Sequence, residues 1–300
     1  KTTSQQELAQ KMSWSPRRTR DTISKFLHSI PPVADSDEQS LEGLEVLFED
    51  EALIAVNKPA GVGVTPDHRW RGGSMLNLVL GHLQRQAEGE VAATARARAK
   101  RYVPSPCHRL DLNTSGVLVF AKTADAATAL MDQFERRLVQ KEYAALCMRR
   151  PRTGQIDAPI CRVAGVDHCE RRVCAPGEEA DGQSASSTIE VIAESPHALA
   201  ADDLEGGSLD GQGAGGAPCL VRVSPAQGRT HQVRVHCLAA GAPILADDLY
   251  GGDGAAKADG AAADLPIQRH ALHALHLRCA HPVTGEPLEL HAPLARDMAD

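Results

Sequence analysis

Apolar residues along this chain fall into three kinds of pattern, and each kind predicts a different element. Val46-Leu47-Phe48 and Leu53-Ile54-Ala55-Val56 are short apolar runs on either side of the polar turn Glu49–Glu51, and they predict two strands. Val117–Ala121 is uninterrupted, as in a strand covered on both faces. Helical spacing governs residues 74–86 and 124–140; in the latter, Ala127, Leu130, Met131, Phe134 and Leu138 share one face. Tyr143–Cys147 begins another strand, and 271–279 is a final extended segment. Leu220–Val223 and Thr230–His236 read as strands or as helix starts. Strands and helices are interspersed without strict alternation, which predicts an α+β (mixed α/β) class.

Residues 1–44 stand apart as an N-terminal extension. A basic amphipathic helix is predicted over 15–30, with Ser15 as N-cap and Pro16 in the first turn. Ile23, Phe26, Leu27 and Ile30 line one side; Arg17, Arg18, Arg20 and Lys25 line the other. A linker over 31–43 follows, and residues 45–300 form the main domain. Residues 87–101, 195–218 and 251–264 are rich in Ala, Gly or charge and read as low-complexity insertions. No stretch approaches the ~20 apolar residues of a membrane-spanning helix.

Composition adds two constraints. Aromatic residues are only 3% of the 300 residues, so any stacking surface has few candidates. The net charge of −7 argues against a generic polyanion binder, but it averages two opposed regions. Residues 96–172 hold 15 Lys/Arg against 8 Asp/Glu, whereas 173–265 hold 4 against 14. That asymmetry suits one phosphate-facing side. The eight cysteines form no C-x-x-C pair, and reduced thiols are expected.

Walker A, G-x-G-x-x-G, H-E-x-x-H and G-x-S-x-G signatures are absent, so no nucleotide cofactor is expected. His270, His273, His276, Cys279 and His281 suggest a metal, but on a strand they would split between two faces. No second Cys or His pair has zinc-like spacing, and no metal site is expected. Cys107–Gly116 is more informative. It sets Asp111 in a polar loop just before the apolar strand, where a rigid element aims the carboxylate. An Asx turn or a capping role is the plainer reading of that aspartate. Gly228–His236 places Arg229 and Arg234 five residues apart around Thr, His and Gln, a floor able to meet a carboxylate or phosphate. Lys141-Glu142-Tyr143 puts a tyrosine at the start of a strand.

Taken together and in this order, these clusters resemble the RluA-type pseudouridine synthases. His108–Asp111, Thr114-Ser115-Gly116 and Ala121-Lys122 are similar to that family's defining motif, and Asn57-Lys58-Pro59-Ala60-Gly61 to its upstream motif. Gln133-Phe134, Lys141 and Tyr143 resemble the next block. Gly228–His236, with Gly241, Pro243, Asp247, Tyr250 and Gly251, resembles the third. Leu272-His273-Ala274 and His281-Pro282 resemble the closing strand. The likeness covers roughly residues 45–295. Ala246 departs from it, standing where the family usually has glycine.

The resemblance implies a mostly antiparallel central sheet flanked by helices and loops, and an isomerase that converts uridine in RNA to pseudouridine without a cofactor. It implies Asp111 as the catalytic carboxylate, acting as nucleophile on the nucleotide or as base toward the ribose. Arg234 is expected to pair with it, Tyr143 to pack on the target base, Arg109 to assist base extrusion, and Leu272 to line the pocket wall with His273. The expected partner is RNA, with ribosomal RNA favoured over transfer RNA, a ribosomal particle or its assembly factors in attendance, and no membrane. Phosphate contacts are expected from Arg96, Arg98, Lys100, Arg101, Arg136, Arg137, Arg149 and Arg150, with the acidic 195–218 loop turned away. A catalysis-independent RNA-binding ribosome assembly factor of the same fold is the alternative, and a metal-binding protein built on the His-rich segment a distant third. The insertions and a first residue other than Met predict a mitochondrial setting, with the cytoplasm or another organelle as the alternative.

Overall fold

A computed structural model describes residues 44–66, 73–90, 103–163, 170–178, 181–195, 217–251 and 267–299. The predicted 15–30 helix, the 31–43 linker and nearly all of the three insertions lie outside these residues. A ten-stranded sheet organises the rest, in the order β1 (Val46–Glu49), β2 (Leu53–Lys58), β4 (Ser115–Ala121), β11 (Leu272–Ala280), β5 (Gln140–Cys147), β10 (Cys219–Pro225), β9 (Ser186–Glu194) and β6 (Gly154–Asp157), with β3 (Ser105–Pro106) beside β4 and β12 (Pro287–His291) beside β11.

The first half is built as the apolar runs require. β1 (Val46–Glu49) and β2 (Leu53–Lys58) form a hairpin whose turn is fixed by Asp50, its carboxylate accepting from the Ala52 and Leu53 N–H groups. β2 then pairs with β4 (Ser115–Ala121), and β3 (Ser105–Pro106) pairs with the same strand. Every residue of β4 is buried, because its two faces meet different helices. Val117, Val119 and Ala121 pack with Ala126, Ala127 and Leu130 of α2 (Ala124–Glu135). Leu118 and Phe120 pack with Met75, Leu76 and Val79 of α1 (Met75–Glu90). Two covered faces explain why the alternation typical of a half-exposed strand is missing here.

The second half is less regular. β5 (Gln140–Cys147) pairs with β10 (Cys219–Pro225), which pairs with β9 (Ser186–Glu194) and through it with β6 (Gly154–Asp157). Inward residues alternate along β10, and Cys219, Val221 and Val223 share a core with Val233 and Cys237 of α3 (Gln232–Ala239). The halves join where β4 runs parallel to β11 (Leu272–Ala280), through the pairs Ser115↔His273 and Gly116↔Ala274. The remaining sheet pairings are antiparallel, as expected; β12 (Pro287–His291) closes against β11 and α4 (Arg296–Ala299) ends the described chain.

Three expectations need correction. Helix α2 stops at Glu135 rather than continuing to 140, because Arg137 adopts a left-handed φ of 60° and Leu138 is turned out to solvent. The pattern also gave no hint of β6, β9, β12 or the separate ribbon of β7 (Ile160–Arg162) and β8 (Arg171–Val173). These strands are short or polar on their outer face, so little apolar signal marks them. Finally, Cys161 and Cys174 are not free thiols. They form a disulfide across the β7–β8 ribbon, where antiparallel pairing brings their Cα atoms to 5.1 Å.

Candidate active site

Asp111 sits in the loop entering β4, and that loop is held from both sides. Lys58, fully buried at the end of β2, donates from Nζ to the carbonyls of Pro59 and Leu112, each at 2.8 Å. The Gly61 N–H reaches the same Leu112 carbonyl. From the other side Arg269 donates to the Asn113 carbonyl at 3.1 Å, and its guanidinium is held in turn by both carboxylate oxygens of Asp297. Thr114 and Ser115 are hydrogen-bonded to His270 and His273, both at 2.9 Å. Burial lowers the Lys58 ammonium to about 7, against the opposing pull of Asp111, with Arg269 adding to the decrease. The carboxylate is therefore carried by a loop whose backbone oxygens are clamped by two cations.

Gly116 is obligatory in this arrangement. Its φ is +114°, and a Cβ there would lie 2.2 Å from the carbonyl oxygen of Ala274 on the adjoining strand.

The opposite wall comes from the second half of the molecule. Arg234, in α3, is nearly inaccessible and forms a two-point pair with Asp247, Nε to Oδ2 at 2.7 Å and Nη2 to Oδ1 at 2.5 Å. Its remaining terminal nitrogen faces Asp111 at 3.8 Å. The expected Arg234–Asp111 pair is thus present in looser form, and the tight partner is Asp247. Burial alone would raise the Asp247 carboxyl; the hydrogen bonds and charge of Arg234 outweigh it and hold the group below the ordinary carboxylate range. Helix α3 is itself pinned to β9: Gln232 donates to the Ser186 carbonyl, and His236 is hydrogen-bonded to Ser187 at 2.8 Å.

Asp111, Arg109, Tyr143, Arg234 and Leu272, the five predicted site residues, all line one open cleft. Arg109 is exposed at its edge, and Tyr143 lies partly buried on β5, its phenol pushed up by burial and by the charge of Asp111. His273 instead lies buried behind the loop, bonded to Ser115. Thr230 and His231, from the polar floor expected between Arg229 and Arg234, also line the cleft, as does Gln227, which stands outside every motif singled out in the sequence. Lys58, Asp247 and Arg269 support the site through Leu112, Arg234 and Asn113, which are 54, 13 and 156 residues away, and no local pattern marks these roles.

The His-rich segment is dispersed by the fold. His270 and His273 are engaged with Thr114 and Ser115, and His281 meets Asp50 at 2.7 Å. A second segment does approach His276: among the described residues, His276, Glu289 and His291 present ligand atoms within 4.8 Å of one another. The two imidazoles stack with centroids 4.1 Å apart and ring planes within 9° of parallel, so their in-plane lone pairs run side by side instead of converging on one point.

Comparison with known proteins agrees with this geometry. The sequence profile described as RNA pseudouridylate synthase matches residues 52–239. A Bacillus subtilis protein named as an uncharacterized RNA pseudouridine synthase is 33% identical over 257 residues, covering 85% of this chain and 70% of that one. A Zymomonas mobilis protein named ribosomal large subunit pseudouridine synthase D is 32% identical over 270 residues, covering 90% of this chain and 74% of that one. Among solved structures, human RNA pseudouridylate synthase domain containing 4 superimposes with a TM-score of 0.57 at 25% identity, over 85% of this chain and 90% of the other. With the profile spanning more than half of its length, the chain belongs to the RNA pseudouridine synthases, in the RluA-type family.

Proposed function

We propose that this enzyme isomerises uridines in ribosomal RNA and that Asp111 is its catalytic carboxylate. The observation that carries the reading is the cleft itself: a carboxylate one-fifth exposed faces a guanidinium 3.8 Å away, with Tyr143 on the same wall. The N1–C1′ bond breaks, the base turns while held against the tyrosine ring, and C5 bonds to C1′. The C5 proton leaves and N1 gains one, so the reaction consumes nothing. Asp111 serves as nucleophile toward the nucleotide or as base toward the ribose, and both roles need a carboxylate oxygen free on the cleft side. Relatives named as acting on the ribosomal large subunit support ribosomal RNA as the substrate.

RNA must dock on local charge, since the chain is acidic overall. Two of the arginines expected to meet phosphate are already paired, Arg136 with Asp132 and Arg150 with Glu194. Arg96, Arg98, Lys100 and Arg101 lie outside the described residues. Arg109 and Arg229 at the cleft are the better placed cations.

The test is tritium release from RNA carrying 5-tritiated uridine. The wild-type protein is expected to release the label, and Asp111→Asn to release none while binding RNA with unchanged affinity, because the substitution preserves shape and removes the charge. Turnover near wild type in Asp111→Asn would overturn the assignment of Asp111. Release by neither protein, with RNA binding intact, would favour the assembly-factor alternative.

A further inference from the structure

His231 occupies an unusual position. It is the N-cap of α3, yet its side chain makes no capping bond. Its backbone is left-handed, φ 57° and ψ 19°, a conformation uncommon for residues other than glycine. Strain of this kind clusters where a side chain must be aimed. Here the ring is directed into the cleft, with Nε2 3.9 Å from Asp111 Oδ1, while Nδ1 lies 2.8 Å from the hydroxyl of Tyr250.

Tyr250 decides which ring nitrogen carries the proton. Its oxygen accepts the backbone N–H of Arg171 at 2.9 Å, which leaves its own hydrogen to donate to Nδ1. Burial pushes the phenol up to about 12, so that hydrogen is present at neutral pH. The imidazole is held below its ordinary value by burial, with Arg234 and Arg171 adding to the decrease and Asp111 and Asp247 opposing it, so the neutral ring prevails. A neutral ring that accepts at Nδ1 carries its hydrogen on Nε2, the atom facing the carboxylate. The Tyr250 ring is fixed in turn by the Arg234 guanidinium, 4.9 Å from its centroid.

We propose that His231 is a positioning residue for Asp111, its tautomer set by Tyr250 so that Nε2–H closes on the carboxylate when substrate fills the cleft. Separations of this size in unliganded sites commonly tighten in the reacting complex. The second contact fixes the rotation of the carboxylate, which Arg234 restrains on one side only. This rests on the reading of Asp111 as the catalytic carboxylate and adds the element that orients it.

The test combines a spectroscopic and a kinetic reading. Nitrogen-15 NMR of the wild-type protein is expected to show His231 as the Nε2–H tautomer, and Tyr250→Phe to lose that preference. His231→Asn suits the left-handed backbone, so the folded state is retained while the ring is removed. Both variants are expected to lower kcat on RNA by roughly 10- to 100-fold with KM within about twofold, as misplacement of a reacting group does. The double variant should be no slower than His231→Asn, since Tyr250 acts through the ring. An Nδ1–H tautomer in the wild type, or multiplicative losses in the double variant, would overturn the inference. Wild-type kcat in both single variants, with Asp111→Asn inactive, would overturn it and leave the assignment of Asp111 standing. Full turnover in Asp111→Asn would remove the reading beneath it.

Discussion

The two halves of the sheet contribute opposite things to one cleft. The half built on β1, β2 and β4 is dry and regular, and it supplies the carboxylate on a loop clamped by Lys58 and Arg269. The half built on β5, β10 and β9 supplies the aromatic ring and the guanidinium, held by polar contacts such as Arg234–Asp247 and Gln232–Ser186. Neither half contains a complete site. Their relative placement depends on the short parallel seam between β4 and β11, and the chemistry depends on its exactness.

Breaking the seam should have the largest effect. Gly116→Ala would drive a methyl group into the Ala274 carbonyl, against backbone that has no room to yield. We expect a loss above about 4 kcal/mol, or no folded protein, in denaturant unfolding. Gly61→Ala is the control. That glycine also has a positive φ but faces open space, and roughly 1 kcal/mol is expected.

Next comes the polar half. Arg234→Ala leaves Asp247, whose side chain is fully buried, without its counter-charge, at a cost of about 3–5 kcal/mol. The sign with pH follows from the lowered Asp247 pKa: its contribution is present above the ordinary carboxylate range and is lost as pH falls through the folded value. The wild-type protein should therefore lose stability in acid more steeply than Arg234→Ala, as chemical denaturation at a series of pH values would show.

Lys58 tests the dry half. Its folded value of about 7 lies below the ordinary 10.5, so the unfolded chain binds the extra proton between those values. This group makes stability rise with pH across that window, and its burial penalty is fullest below it. Lys58→Met should flatten the difference between pH 7 and pH 9 in urea unfolding. It should also slow turnover, because the Leu112 carbonyl next to Asp111 loses its clamp.

The smallest expected change is a gain. Ala246 has a φ of 54°, a left-handed conformation that glycine adopts at less cost than alanine. Ala246→Gly should stabilise the polar half by about 0.5–1 kcal/mol, read as a raised melting temperature.

The halves also differed in how legible they were. Continuous apolar runs at 53–56 and 117–121 announced β2 and β4, and only the covering helices were needed to explain them. Helix α3 was ambiguous for a physical reason. Val233, Val235 and Cys237 alternate with Gln232, Arg234 and His236, a period of two that mimics a strand, and all six are buried. What makes the segment helical lies elsewhere in the chain, in Ser186, Ser187 and Asp247, which satisfy its polar side chains. The site showed the same divide. Asp111, Tyr143 and Arg234 stand in recognisable local motifs, whereas the roles of Lys58, Arg269 and Asp247 exist only through tertiary contacts.

The seam has a further consequence, for folding. Ser115 and its partner His273 are 158 residues apart in sequence. During synthesis β1, β2, β3 and β4 can pair long before β11 exists, with β3 covering only the Phe120–Ala121 end of the second edge of β4 and the Ser115–Gly116 end left open. Such an edge invites pairing with other chains until its proper neighbour arrives. Closing so long a loop is slow, so the last contacts to form are those that complete the cleft. Nascent chains truncated before residue 272 should therefore aggregate through β4, and the enzyme acquires its active site only as its final strands dock.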